Sequence, residues 1–223
     1  VAMGSGALSS NTTASANVAI GRLALTTNTT GANNVAIGCC ALKSNTTASA
    51  NTALGHDTLK TNTTGCQNVA VGACSLDANT TGNYNIAVGV NALSSNTEGN
   101  NNVAVGLIAM RDNVTGDSNT GLGFAALRVT TADNNVAVGT CSLYENTSGE
   151  SNTAVGFESM KFNTTGKNNT AVGLCVLESN TSGCYNHALG RNTLMLNTTG
   201  CYSTAIGQQA LSASVATGDT GNT

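Results

Sequence analysis

The chain contains no proline. Proline cannot donate to a backbone ladder, so its absence leaves nothing to interrupt repeated pairing along the chain. Charge is also scarce: charged residues make up 9% of the sequence and the net charge is −3. No basic stripe is present to recruit nucleic acid or an anionic membrane. There is no run of about 18 apolar residues and no signal-peptide pattern, so no stretch is read as inserted in a bilayer. Candidates for chemistry are equally few. His56 and His187 stand far apart and neither has a second ligand in its own repeat. The acidic residues form no recurring pair suited to general acid/base work. The glycines never make a G-x-G-x-x-G turn, and no aspartate recurs as calcium-binding rolls require. No catalytic residue, cofactor or metal site is expected, and the protein is not read as an enzyme.

What the sequence does contain is repetition. Copies of one unit, seen clearly in NVAIGCCALKSNTTASA from Asn34, begin at Asn17, Asn34, Asn51, Asn68, Asn85, Asn102, Asn119, Asn135, Asn152, Asn169, Asn186 and Ser203. The period is 17 residues at every step except Asn119 to Asn135, where it is 16 because the turn after Leu127 has lost a residue. A fixed short period over a whole chain marks a stacked-repeat architecture. We number the slots of a copy from its first residue, usually Asn.

Slot 5 is always glycine: Gly21, Gly38, Gly55, Gly72, Gly89, Gly106, Gly123, Gly139, Gly156, Gly173 and Gly190, with Gly4 and Gly207 at the ends. Slot 9 is Leu or Met: Leu25, Leu42, Leu59, Leu76, Leu93, Met110, Leu127, Leu143, Met160, Leu177 and Leu194. Slot 4 is always Val, Ile, Leu or Met, and slot 3 is Ala except at Gly121. Slots 6, 7, 10, 11, 16 and 17 accept almost anything, including Arg22, Asp57, Phe124, Glu158 and Lys161. The constraint pattern places slots 4 and 9 in the core and the variable slots outside.

This period is too short for a pair of helices, and slots 2 to 4 alternate as a strand does. Abundant β-branched residues and regularly placed Gly and Asn agree. The expected fold is all-β, a parallel β-solenoid of the β-roll kind, with one coil per copy. Slots 1 to 4 form a strand, slot 5 a bend, slots 7 to 10 a second strand, and N-T-T-G at slots 12 to 15 the return turn. Thirteen coils about 4.8 Å apart would give a thin rod roughly 60 Å long. The solenoid is expected over residues 1–211, with 212–223 as a polar tail or the start of a further segment. The short copy should absorb its deletion in the turn and interrupt any asparagine ladder there. Val1 sits at slot 2, inside a coil, so the stack is expected to continue into a longer chain or a neighbouring molecule.

Asn28, Asn45, Asn62, Asn79, Asn163, Asn180 and Asn197 recur at slot 12, each as an N-x-T/S sequon; Asn11, Asn113, Asn146 and Asn168 make further ones. They read either as glycosylation acceptors or as a stacked amide ladder. A ladder is favoured, because a glycan on every coil would crowd neighbours about 4.8 Å away. A Thr array for ice binding needs two Thr on one face of a strand, whereas Thr12 and Thr13 are adjacent in a turn. The eight cysteines fall mainly in slots 7 and 16 and form no zinc-type spacing. Cys184 and Cys201 share slot 16 in consecutive copies, close enough for a disulfide. Exposed cysteines in such a protein point to an oxidising, extracellular setting.

Copies such as NVAIGRLALTTNTTG and NTAVGLCVLESNTSG resemble the short repeats of YadA-like heads in trimeric autotransporter adhesins, whose motif also reads S-V-A-I-G. They are similar, more closely, to the N-T-A-[IV]-G-x-x-A-L-x-x-N-T-T-G arrays of tail-fibre proteins in phages and bacteria. The resemblance spans residues 1 to about 211. It implies a left-handed β-roll, three chains side by side, on a cell or virion surface. The function expected is therefore a structural surface fibre, stalk or adhesin segment presenting variable side chains to a host or cell-surface receptor. A self-assembling extracellular filament is the alternative, and an ice-binding solenoid a weaker one.

Overall fold

Slots 2 to 4 of each copy form one short strand, because Val, Ile and Thr flank a small residue on a pleated surface. The computed structural model describes residues 1–213. Its strands are β1 (Ala2–Met3), β2 (Val18–Ile20), β3 (Val35–Ile37), β4 (Thr52–Leu54), β5 (Val69–Val71), β6 (Ile86–Val88), β7 (Val103–Val105), β8 (Thr120–Leu122), β9 (Val136–Val138), β10 (Thr153–Val155), β11 (Thr170–Val172), β12 (His187–Leu189) and β13 (Thr204–Ile206). No helix occurs among the described residues. The chain divides into two compact units, residues 1–115 and 116–223.

In the first unit β1 to β7 pair in sequence order and in parallel, slot against slot: Val18 faces Val35, which faces Thr52, which faces Val69. The second unit repeats the arrangement from β8 to β13, with Thr120 opposite Val136 and Val136 opposite Thr153. Each unit is thus a parallel β-solenoid with one coil per copy. The expected tail from residue 214 onward lies outside the described residues.

The 16-residue copy belongs to the second unit, and its strand keeps register on both sides. Its turn absorbs the deletion. Thr131 N–H still donates to Thr147 O at 3.0 Å, and Asn134 N–H to Asp117 O at 3.1 Å. Those two bonds fix Thr131 at slot 13 and Asn134 at slot 17, and the Asn119 carboxamide donating to Ala132 O at 2.7 Å places Ala132 at slot 15, so the missing residue is slot 14.

Slots 7 to 10 do not form the expected second strand. Residues at slots 7 and 9 take left-handed φ in every complete coil, for example Leu23 at 59° and Leu25 at 50°. The segment is therefore a chain of turns. Its N–H groups bond alternately to the two neighbouring coils: Leu23 donates to Ser5 O at 2.9 Å in the preceding coil, and Leu25 to Ala41 O at 3.0 Å in the next. Left-handed φ costs a non-glycine residue about 1–2 kcal/mol. Full burial of a leucine returns about 1.5–3 kcal/mol, and Leu25 is fully buried. At slot 5 only glycine fits. Gly72 has φ 126°, and a Cβ there would lie 2.6 Å from the Gly89 carbonyl oxygen in the next coil.

The core also differs from expectation at slot 4. Slots 2 and 4 share one face of the strand, and that face points outward. Leu54 is 45% exposed and Ile206 72%. Slot 3 points inward instead, with Ala19, Ala36 and Ala53 wholly buried beside the slot-9 Leu and Met side chains. The coil is so thin that only Ala or Gly fits inside the strand, and the larger β-branched side chains must stand outside.

The remaining interior is polar. Asn at slots 1 and 12 is buried in every copy from Asn17 on, and in regular coils its two side chains converge on the slot-15 carbonyl. Asn17 and Asn28 donate to Gly31 O at 2.8 and 2.9 Å. Slot-12 carboxamides also bond from coil to coil, Asn45 to Asn28 at 2.8 Å and Asn62 to Asn45 at 3.1 Å. Slot-1 side chains accept from the next coil's backbone, as in Asn34 N–H to Asn17 Oδ1 at 2.8 Å. Thr130 takes slot 12 of the short copy, and its hydroxyl accepts from Ala132 N–H at 3.1 Å.

Candidate functional site

With slots 1, 3, 9 and 12 turned inward, a partner meets the outward columns, among them the apolar slots 2 and 4 and the variable slots 6, 7, 10 and 11. Slots 7 and 10 face each other along one edge of a coil. Asp57 pairs with Lys60 at 3.0 Å and Glu158 with Lys161 at 2.7 Å. Each carboxylate hydrogen bond holds its lysine above the usual ammonium range. The slot-7 thiols share this edge and lie partly under it. Burial pushes Cys40, Cys74 and Cys141 upward, and burial with the neighbouring Glu178 carboxylate pushes Cys175 to about 11. These thiols are held protonated rather than primed as nucleophiles.

Glu158, Cys175 and Glu178 bring their ligand atoms within 4.8 Å of one another, all half-buried. The Lys161 ammonium bonded to Glu158 already supplies positive charge there. His56 stands outward with Nδ1 3.8 Å from Asp57. His187 lies on the outer sheet face, beside Leu189 and Ile206, in a shallow apolar depression.

The expected Cys184–Cys201 disulfide is absent. The Cys201 sulfur accepts from the Cys184 backbone N–H at 3.0 Å. The thiols themselves turn back to carbonyls two residues earlier, Ser182 O at 3.3 Å and Thr199 O at 3.6 Å. Same-slot side chains in successive coils run parallel, so the sulfurs do not turn toward one another. The following tyrosines do stack, Tyr185 on Tyr202, with ring centroids 5.1 Å apart and planes within 1°.

The slot-12 sequon asparagines Asn28, Asn45, Asn62, Asn79, Asn163, Asn180 and Asn197 are buried, with no outward amide to carry a glycan. Asn168, at slot 17, is exposed. The slot-13 hydroxyls are likewise engaged, for example Thr46 donating to Thr63 O at 3.2 Å.

Sequence reasoning missed the apolar outer face. Slots 2 and 4 put Val, Ile, Leu and Thr along it in both units. Exposed slot-6 residues widen it: Val90 and Leu107 in the first unit, and Phe124, Phe157 and Leu174 in the second. The signal was there in the alternation of slots 2 to 4, but slot 4 was placed in the core. Comparison with protein-family models, with curated proteins and with solved structures finds no match.

Proposed function

We propose that this protein is a structural segment of an extracellular or virion-associated surface fibre, stalk or adhesin, presenting variable outward side chains for attachment to a receptor. The observation that carries this reading is the division between constant interior and variable exterior. Ala19, Leu25 and Asn28 repeat inside coil after coil. At slot 6, by contrast, the exposed side chain is Arg22 in one coil, His56 in another and Phe124 in a third. A rigid backbone with freely varied surface columns suits display rather than chemistry. The apolar outer sheet face supports side-by-side association of copies, three by resemblance to trimeric adhesins. An ice-binding array is less well supported, because the slot-13 hydroxyls bond to neighbouring coils instead of facing water.

Electron microscopy of the purified native assembly tests the proposal. Short stalks several copies wide are expected. Single-copy particles joined end to end into continuous filaments would overturn lateral packing in favour of a self-assembling filament.

A further inference from the structure

Cys39 and Cys40 are neighbours in sequence, and their sulfurs lie 3.4 Å apart. Successive side chains of a strand point to opposite faces. Here Cys40 has φ 59°, which swings its sulfur back beside that of Cys39. The backbone on either side is pinned. Cys40 N–H donates to Arg22 O in the preceding coil at 2.9 Å, and Asp57 N–H donates to Cys39 O from the next at 3.0 Å. Cys40 is 7% exposed, while Cys39 beside it is open to solvent on one flank.

We propose that Cys39 and Cys40 form a chelating dithiol for a soft divalent cation of the zinc or cadmium class, with solvent completing the coordination. At a metal–sulfur bond of about 2.3 Å, sulfurs 3.4 Å apart subtend about 95° at the ion. That is close to a tetrahedral angle and far from a linear one, so a modest side-chain rotation completes the fit. A vicinal disulfide demands more: the sulfurs would have to close to about 2.05 Å in a ring whose backbone is held on both sides, and an oxidant would be required. Binding the cation needs neither; each thiol releases one proton as its sulfur takes up the metal.

Arg22 reaches the Cys39 sulfur at 3.7 Å from the preceding coil and offsets charge on the thiolates. No other copy repeats the arrangement. Cys74, Cys141 and Cys175 follow Ala73, Thr140 and Leu174, so each lacks an adjacent thiol.

The test is titration of the reduced full chain with cadmium or zinc ion against a chromophoric chelator. One tight equivalent per chain is expected. Cys39→Thr and Cys40→Asn insert residues that other copies carry at those slots (Thr140, Asn91), so the fold is retained. Each should weaken the tight equivalent by at least about 100-fold, the loss expected when a two-point grip becomes one-point. Cys74→Ser and Cys184→Ser should leave it unchanged. A tight equivalent that survives Cys39→Thr, or that Cys74→Ser removes equally, overturns the dithiol.

Discussion

Asn51 and Asn62 meet on one atom: both carboxamides donate to the Gly65 carbonyl oxygen, each at 2.9 Å. The first residue of the coil is thereby tied to its return turn. Asn62 also donates to Asn45 and accepts from Asn79. Removing it reopens the coil and strands buried polar atoms on two neighbours. Asn62→Ala should lower stability by about 2–4 kcal/mol, read as a fall in the urea midpoint. Asn62→Asp should cost more, because a carboxylate faces two acceptors, Asn45 Oδ1 and Gly65 O. Equal stability of wild type and Asn62→Ala would show that the ladder is decoration.

Glycines at slots 5 and 15 look equally crowded, and the sequence separates them. A Cβ on Gly72 would lie 2.6 Å from Gly89 O, and one on Gly65 would lie 2.3 Å from Gly82 O and 2.6 Å from Asn62 Oδ1. At Gly72 φ is also positive, and no copy carries anything but Gly at slot 5. At slot 15 other copies carry Ala14, Ala48 and Ala132, so a small shift accommodates a methyl. Gly72→Ala should therefore cost at least about 3 kcal/mol, strain and clash combined. Gly65→Ala should cost about 1 kcal/mol. Paired denaturant melts decide it, and similar losses would refute the distinction.

The period, the parallel stacking and the site of the deletion were legible because each follows from which slots vary. The inward face was not. Alternation shows that Ile20 and Val18 share a face, but not which face is inside. Hydrophobicity alone chose Ile20 over Ala19, and the thinness of the coil chose the reverse. The slot-9 segment was misread for a related reason: leucine at φ near +50° contradicts its own preference and is held there by burial and coil-to-coil bonds. The Cys39–Cys40 contact depends on the same left-handed geometry, so a strand assignment hid it.

The corrected inward and outward assignment has a direct consequence in one coil. Leu93 is wholly buried, whereas Val88 stands half-exposed on the outer face. Leu93→Ala should cost about 2–5 kcal/mol. Val88→Asp should leave unfolding of the dilute protein within about 1 kcal/mol of wild type. The same change should disperse assembled copies, because it puts a charge on the apolar face. Sedimentation and denaturant melts together check this; a Val88→Asp chain that unfolds as readily as Leu93→Ala would return slot 4 to the core.

Asp77 gives a pH dependence of unusual sign. Its Oδ1 is buried without a hydrogen-bond partner, and burial raises the carboxyl above the ordinary aspartate range. The folded state therefore holds the proton more tightly than the unfolded chain does. The charged form weakens the fold at all pH values above the raised value, and that penalty fades as acidification protonates the group. Asp77→Asn should raise the urea midpoint at neutral pH, and the gap should close as the pH falls below the ordinary aspartate range. A gap that is constant with pH would assign the effect to packing rather than ionisation.

The short copy offers a test by repair. In a regular coil the slot-12 amide has two acceptors: Asn163 donates to Asn146 Oδ1 at 2.7 Å and to Gly166 O at 3.0 Å. Asn146 donates to Gly149 O at 2.7 Å, but the residue before it in the column is Thr130, whose hydroxyl instead accepts from Ala132 N–H. Thr130→Asn alone should destabilise, because the turn without slot 14 is built around that short hydroxyl contact. Inserting one Thr after Thr131 together with Thr130→Asn restores the N-T-T turn and gives the Asn146 amide its second acceptor. The repaired chain should gain about 1 kcal/mol over wild type, with slower hydrogen exchange at the Asn146 side chain. Insertion without Thr130→Asn should gain nothing, since the turn lengthens with no carboxamide to fill it. If the insertion alone stabilised as much as the pair, turn length rather than the amide ladder would be the limiting feature of this coil.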